Sequence, residues 1–267
     1  MKDILNEVIL KLKSEKDGFC RITHKKGWLD FLKDGDFGFT PDKLHQMLRQ
    51  VIKEFPPRGE KLLYLRKRCN FTVNIKNIAC RPEEALERFI TTSNPDKFFN
   101  QVPIGGKKEA IDIGIEESET RFVFVELKPW SSSNSPLYAI VESLKNLIEY
   151  RIIHEEEIPH HKDCKHYSEV NLIVLAPQSY WKDYGLIGST KDKINIVKTA
   201  LNDLMSEFNT NISLMQIEIE KNNFNLQCQS LKPNAENRIE LSKSDAIPAL
   251  ARDHWQFLVS SDKNSKK

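Results

Sequence analysis

The sequence has few cysteines and no long apolar run. Its 267 residues include five widely scattered cysteines and no CxxC pair, a usage typical of free thiols in a reducing compartment. No apolar run approaches the roughly 20 residues needed to span a bilayer, and charged residues interrupt the apolar positions of residues 1–16, unlike in a signal peptide. We therefore expect a cytoplasmic protein without disulfides, for which a membrane is not a partner.

Several familiar catalytic motifs are also missing from the chain. It contains no Gly-x-Ser-x-Gly elbow and no plausible Cys/His dyad. The stretch IGGKK at 104–108 lacks the complete phosphate-binding loop pattern and is interpreted as a turn between strands. The stretch HHKDCKH at 160–166 contains residue types that zinc favours, but its spacing matches no zinc-finger pattern, so we interpret it as a polar loop.

Positive charge is concentrated in the first third of the chain. Residues 1–80 contain 17 Lys and Arg against 10 Asp and Glu, which leaves 23 and 28 of the totals of 40 and 38 for the remainder. The local charges are therefore +7 and −5. A basic region of this kind indicates either a surface that binds a polyanion such as nucleic acid or simply a solvated charged face.

The first 80 residues are expected to form an accessory region that is mainly helical. Residues 2–13 and 42–55 have apolar side chains at helical spacing, and the extended stretch that follows them has a basic centre at Arg66, Lys67 and Arg68. Two helices followed by a hairpin would suit a winged-helix-like module. The alternative is a helical extension that packs against the main domain.

The rest of the chain predicts an α/β domain with helices on the faces of a mixed sheet. We assign the core to residues 81–233 and a C-terminal extension with a flexible tail to residues 234–267. The expected helices are 82–92, 136–155 and 190–208. The expected strands are 98–104, 109–116, 121–130 and 170–177, followed by a last strand pair at 212–220 and 224–231.

Two of these strands bring acidic side chains and a lysine towards one place. In the strand at 109–116, alternation puts Ile111, Ile113 and Ile115 on one face and Asp112 on the other. In the strand at 121–130, alternation puts Glu126 and Lys128 on the same face as Phe124 and Trp130. If the strands pair as a hairpin, Asp112 and Glu126 are neighbours. Two close carboxylates repel each other unless a cation lies between them, so we expect a divalent metal, with Lys128 assisting an attacking water.

The pattern of Asp112 followed by Glu126-Leu127-Lys128 resembles the Asp...Glu-x-Lys motif of the PD-(D/E)xK nuclease superfamily. The resemblance covers residues 82–177, where helix, three strands, helix and strand follow in that family's order, although Ile111 replaces its proline. It implies a restriction-endonuclease-like core within residues 81–233. It also implies a Mg²⁺-dependent or Mn²⁺-dependent deoxyribonuclease of a restriction, repair or anti-phage type.

The same resemblance implies roles for individual residues. The metal ligands would be Asp112, Glu126, the carbonyl of Leu127 and a glutamate on the preceding helix, for which Glu87 is the first choice and Glu84 the second. Lys128 would complete the catalytic set, and Arg66, Lys67 and Arg68 would contact DNA phosphates. Some relatives use an acid on the following helix, and Glu142 is available there, but a solvated flank of that helix is the favoured interpretation.

Other interpretations of these residues remain open. The helix acids could be solvent-facing residues of the first turn, and the strand residues could form a salt-bridged cluster on a partly exposed sheet. The protein could be a catalytically silent nuclease-like fold that binds DNA or a protein, or a phosphodiesterase acting on RNA or small molecules. DNA is the expected partner, with a homodimer or a partner subunit as further possibilities.

Overall fold

The computed structural model describes residues 71–74, 81–103, 110–130, 134–152 and 167–261, together with the single positions 28, 29, 32, 42, 46, 78 and 132. The predicted helix at 2–13, nearly all of the helix at 42–55 and the basic residues Arg66, Lys67 and Arg68 lie outside this description. The winged-helix prediction for residues 1–80 therefore stays a prediction. Trp28 belongs to that region, and its indole N–H donates to the carbonyl of Tyr184 at 3.2 Å.

Eight strands and five α-helices make up the described structure. The strands are β1 (Thr72–Asn74), β2 (Phe98–Pro103), β3 (Ala110–Glu116), β4 (Arg121–Leu127), β5 (Glu169–Pro177), β6 (Ile212–Ile217), β7 (Arg238–Glu240) and β8 (Gln256–Ser260). The α-helices are α1 (Pro82–Ser93), α2 (Pro136–Ile152), α3 (Gln178–Asp183), α4 (Lys191–Phe208) and α5 (Lys221–Ser230). Three short 3₁₀ helices lie at Lys243–Asp245, Pro248–Leu250 and Arg252–His254.

A six-stranded mixed sheet in the order β2-β3-β4-β5-β6-β8 organises the fold, and β1 pairs separately with β7. The strands β2, β3 and β4 are antiparallel, β5 and β6 continue parallel to β4, and β8 is antiparallel to β6. The predicted α/β class, the mixed sheet and the order helix, three strands, helix and strand are confirmed. None of the described helices is both long enough and apolar enough to cross a membrane.

The sheet separates two hydrophobic clusters. We call the first the α2-side core; its buried members include Phe122, Phe124, Leu144, Leu147 and Leu172. We call the second the α1-side core; its buried members include Leu86, Phe89, Val125, Ile173 and Phe224. Strand β5 contributes alternate residues to both cores, which explains the nearly continuous apolar sequence expected of a central strand.

The regular alternation of side chains between the two faces of the sheet is interrupted once in β2 and once in β3, at neighbouring positions. Phe98 lies in the α1-side core and Val102, four residues later, lies in the α2-side core. Likewise Ile113 and Ile115 lie in the α1-side core, whereas Ile111 lies in the α2-side core. The prediction that Ile111, Ile113 and Ile115 share one face is therefore wrong for Ile111, because β3 is not regular through Asp112.

The predicted last strand pair is also wrong in its second member. Residues 221–230 form α5, in which Phe224 and Cys228 are buried four residues apart while Leu226 is 64% exposed. That spacing is helical rather than alternating. The strand that pairs with β6 is instead β8, which the C-terminal residues 234–267 supply.

Candidate functional site

The pairing between strands β3 and β4 stops before the end of β4, and Asp112 lies at the position where it stops. Their ladder runs from the pair Glu116 and Phe122 to the pair Ile113 and Val125 and stops there. The Asp112 carboxylate instead accepts a hydrogen bond from the backbone N–H of Leu127 at 2.8 Å. The end of β4 is thus held by a side chain of β3, which leaves a gap in the ladder beside the predicted catalytic residues.

Lys128 joins carboxylates from two elements. Its ammonium contacts Glu126 at the end of β4 and lies 3.3 Å from Oε2 of Glu142 on α2. Its backbone N–H donates to the carbonyl of Leu175 on β5 at 2.9 Å. The residues Glu126 and Lys128 are only 6% and 3% exposed. The structure therefore places Glu142 in the cluster and not on a solvated flank of α2.

Helix α1 contains three acids, and two of them, Glu83 and Glu87, lie close to Asp112. Glu87 is 1% exposed and accepts a hydrogen bond from the Gln101 carboxamide, and Glu83 lies one turn earlier on the same side of α1. Glu84 instead pairs with Arg88 on α1. Of the two predicted helix acids, Glu87 belongs to the cluster and Glu84 does not.

Burial dominates the electrostatics of the cluster. It raises the pKa of Asp112 to about 7, with the nearby Glu83 carboxylate acting in the same direction and Lys128 opposing it. Burial also raises the pKa of Glu87 well above its ordinary value, and Asp112 adds to this effect. The pKa of Glu83 is raised by burial too, against the opposing charge of Lys128.

The pKa values of Glu126, Lys128 and Glu142 depend on one another. Burial raises the pKa of Glu126 well above its usual range although Lys128 opposes this, and a hydrogen bond with Glu142 raises it further. Burial acts to raise the pKa of Glu142, but Lys128 and the bond from Glu126 outweigh it and lower that pKa. Burial acts to lower the pKa of Lys128, yet the carboxylates of Glu126 and Glu142 hold it well above 10.5.

The cluster has oxygen atoms suited to a hard cation. Oε1 of Glu87 is buried and has no hydrogen-bond partner. The carboxylates of Asp112 and Glu83 are close enough to raise the pKa of Glu87, and the guanidinium of Arg88 opposes them; carboxylates are the ligands that Mg²⁺ takes. Among the residues that the structure describes, no three Asp, Glu, His or Cys side chains are already gathered as a metal-binding group. Lys128, lying between Glu126 and Glu142, supplies positive charge at the end of β4, and Arg88 supplies positive charge near Glu87.

Trp130 does not share a face with Phe124, contrary to the prediction from strand alternation. Its indole N–H donates to the carbonyl of Ile219 at 2.7 Å, and its ring lies 5.0 Å from that of Phe224 in the α1-side core. Phe124 packs in the α2-side core. Strand β4 ends at Leu127, so strand alternation no longer sets the direction of a side chain three residues later.

Two residues near the cluster were not identified from the sequence. Tyr180 on α3 is close enough for Lys128 and Glu126 to influence its pKa, which burial raises, and its hydroxyl donates to the carbonyl of Asn134 at 2.9 Å. Gln101 contacts Glu87 from β2. Neither belongs to a sequence motif, because each reaches the cluster only through the tertiary fold.

Comparisons of the chain with known protein families, with curated proteins and with solved structures found no match.

Proposed function

We propose that this protein is a metal-dependent nuclease that hydrolyses DNA phosphodiester bonds, built on a restriction-endonuclease-like core. The observation that carries the proposal is the cluster where the β3–β4 ladder ends: the Lys128 ammonium pairs with Glu126 and is influenced by Asp112, and Asp112 in turn influences Glu87 on α1. Support also comes from the element order of residues 82–177, in which α1, three antiparallel strands, α2 and β5 follow one another. A restriction, repair or anti-phage role fits this chemistry.

An excess of buried acid favours a cation site over a simple salt-bridged cluster. Four carboxyl groups, those of Glu83, Asp112, Glu126 and Glu142, act on the Lys128 ammonium, and Glu87 lies close to Asp112 and Arg88. Burial raises the pKa of Glu83, Glu87, Asp112 and Glu126. A salt-bridged cluster that served stability alone would balance its charges, because an unpaired buried carboxylate is costly. A divalent cation would offset the excess when the acids ionise.

The residues of the cluster would divide the work of hydrolysis. Asp112, Glu126, Glu87 and the carbonyl of Leu127 would hold Mg²⁺ or Mn²⁺, which as a Lewis acid would stabilise charge on the phosphate oxygens. Lys128 remains an ammonium because the surrounding carboxylates raise its pKa. Its role is therefore to donate a hydrogen bond to the attacking water or to a phosphate oxygen, and not to remove a proton.

The basic first third of the chain favours DNA as the substrate. Residues 1–80 have a local charge of +7, from 17 basic and 10 acidic residues, and contacts to phosphates supply most of the sequence-independent affinity for DNA. We propose that Arg66, Lys67 and Arg68 make such contacts. A homodimer or a partner subunit would allow both strands of a duplex to be cut.

The test is cleavage of plasmid and linear DNA in Mg²⁺, in Mn²⁺ and in EDTA. We expect cleavage with either metal and none in EDTA. Lys128→Ala and Asp112→Ala should each reduce the rate by about 100-fold or more, while Glu84→Ala, which alters an acid of the same helix outside the cluster, should cleave as the wild type does. Undiminished cleavage by either cluster variant would end the proposal.

A second candidate function is a catalytically silent nuclease-like fold that binds DNA or a protein. The ion pairs of Lys128 with both Glu126 and Glu142 favour it, because they satisfy these carboxylates without a metal. Calorimetric titration with Mg²⁺ separates the two functions, since a silent fold of this kind has no metal site to detect. Parallel assays with RNA and with small phosphodiesters test those substrate classes.

A further inference from the structure

Gln101 has a backbone conformation that is unusual for its residue type and position. Its φ is +49° although it lies inside β2. Residues other than glycine rarely adopt a positive φ, because the side chain then crowds the backbone. Its neighbours Asn100 and Val102 keep regular pairing with Ile113 and Ile111 of β3, so within β2 the departure is confined to one residue.

Asp112 of β3 lies opposite Gln101 of β2. The register that pairs Asn100 with Ile113 and Val102 with Ile111 leaves Gln101 and Asp112 opposite each other. The side-chain alternation of both strands inverts at this level. Backbone strain that is confined to such a point tends to occur at functional sites, where the surrounding structure maintains it.

The side chain of Gln101 acts on a second acid of the cluster. Its Nε2 donates to Oε2 of Glu87 at 2.5 Å across the gap between β2 and α1. The other carboxylate oxygen of Glu87, Oε1, is buried and without a hydrogen-bond partner. The amide therefore determines which oxygen of Glu87 is occupied and which stays available.

We infer that Gln101 is a positioning residue for the cation site: its left-handed backbone turns the carboxamide onto Glu87 and fixes that carboxylate with Oε1 free for a metal. This inference rests on the proposed function, because it assumes that the cluster binds a divalent cation. A partner that orients a metal ligand through a hydrogen bond typically contributes 10–100-fold to metal affinity. The backbone strain is maintained for this orientation and does not add to stability.

The experiment compares Gln101→Gly with Asn209→Gly. Asn209, at the C-terminal end of α4, has the same left-handed backbone with φ of +47° but lies outside the cluster. Glycine relieves a positive φ at both positions, and in Gln101→Gly this gain offsets part of the cost of losing the hydrogen bond to Glu87. We expect the Kd for Mn²⁺, measured by calorimetry, to rise about 10-fold or more for Gln101→Gly and to stay unchanged for Asn209→Gly.

A second variant separates the amide from the backbone. Gln101→Asn keeps a carboxamide and tolerates a positive φ, but its side chain is one methylene shorter and does not reach Glu87. It should therefore weaken Mn²⁺ binding as Gln101→Gly does. Equal Mn²⁺ affinity of the wild type and both variants would overturn the inference and leave the proposed function standing. A wild-type protein that binds no Mn²⁺ would overturn the proposed function itself, and this inference with it.

Discussion

Replacing Asp112 by asparagine should stabilise the metal-free protein at alkaline pH. Burial raises the pKa of this carboxyl from 3.8 to about 7, so the folded state holds its proton more tightly than the unfolded state does. Stability that is present below about pH 4 is therefore lost as the pH rises through about 7. Asp112→Asn has nearly the same volume and keeps an oxygen that can accept from the N–H of Leu127, but it has no charge to bury.

The size of the effect follows from the pKa values. The difference between 3.8 and about 7 corresponds, at about 1.4 kcal/mol per pKa unit, to a loss of about 4 kcal/mol in the free energy of unfolding. The charge of Asp112 also raises the pKa of Glu87 and Glu126. Removing this charge lowers both pKa values and therefore reduces the stability that these two groups lose as the pH rises. The loss of stability between pH 5 and pH 8 should thus be smaller in Asp112→Asn by a few kcal/mol.

The assay is urea denaturation of both proteins in EDTA at pH 5 and pH 8, with equal slopes confirming that the unfolded states are comparable. Comparing the change with pH in the two proteins cancels the groups that titrate identically in both. If both proteins lose the same stability between pH 5 and pH 8, desolvation does not destabilise the charged form of Asp112. The electrostatic description of the cluster would then be refuted.

Two further substitutions test the packing around the site. Gly114→Ala should lower the free energy of unfolding by about 1–3 kcal/mol in urea denaturation, because an added Cβ would lie 2.6 Å from the ring of Phe122; unchanged stability would show that this ring moves freely. Trp130→Phe loses the bond to the Ile219 carbonyl and should cost about 1–2 kcal/mol while leaving Mn²⁺ affinity intact, since the indole packs in the α1-side core. A large loss of Mn²⁺ affinity in Trp130→Phe would instead place the indole at the cluster.

The central strands and helices could be predicted because their periodicity is strong. The apolar run of β5 and the alternating residues of β4 leave little choice of element, and the stripe of α1 at Leu86, Phe89 and Ile90 fixes a helix. Residues 221–230 were harder, since a short stretch with polar and apolar residues intermixed suits either period. The spacing of Phe224 and Cys228 was the available sign of a helix.

The positions of site residues could be predicted where a single strand determines the direction of their side chains. Glu126 and Lys128 are two residues apart at the end of β4, where the backbone of Lys128 still bonds to β5, so alternation puts them on one face. The choice among the acids of α1 depends on how the helix docks, although the four-residue spacing of Glu84 and Arg88 suggests the pair that they form. No sequence pattern identifies Gln101, because its hydrogen bond to Glu87 depends on an unusual backbone dihedral angle.

The most direct measurement is calorimetric titration of the purified protein with Mn²⁺ at pH 6.5 in two buffers that differ in ionisation enthalpy. Asp112 has a pKa of about 7, so metal binding should displace its proton, and the dependence of the measured heat on the buffer counts the protons released. We expect one site that releases about one proton or more, and no binding to Asp112→Asn. The absence of Mn²⁺ binding, or binding without proton release, would contradict the proposal that these buried acids form a cation site.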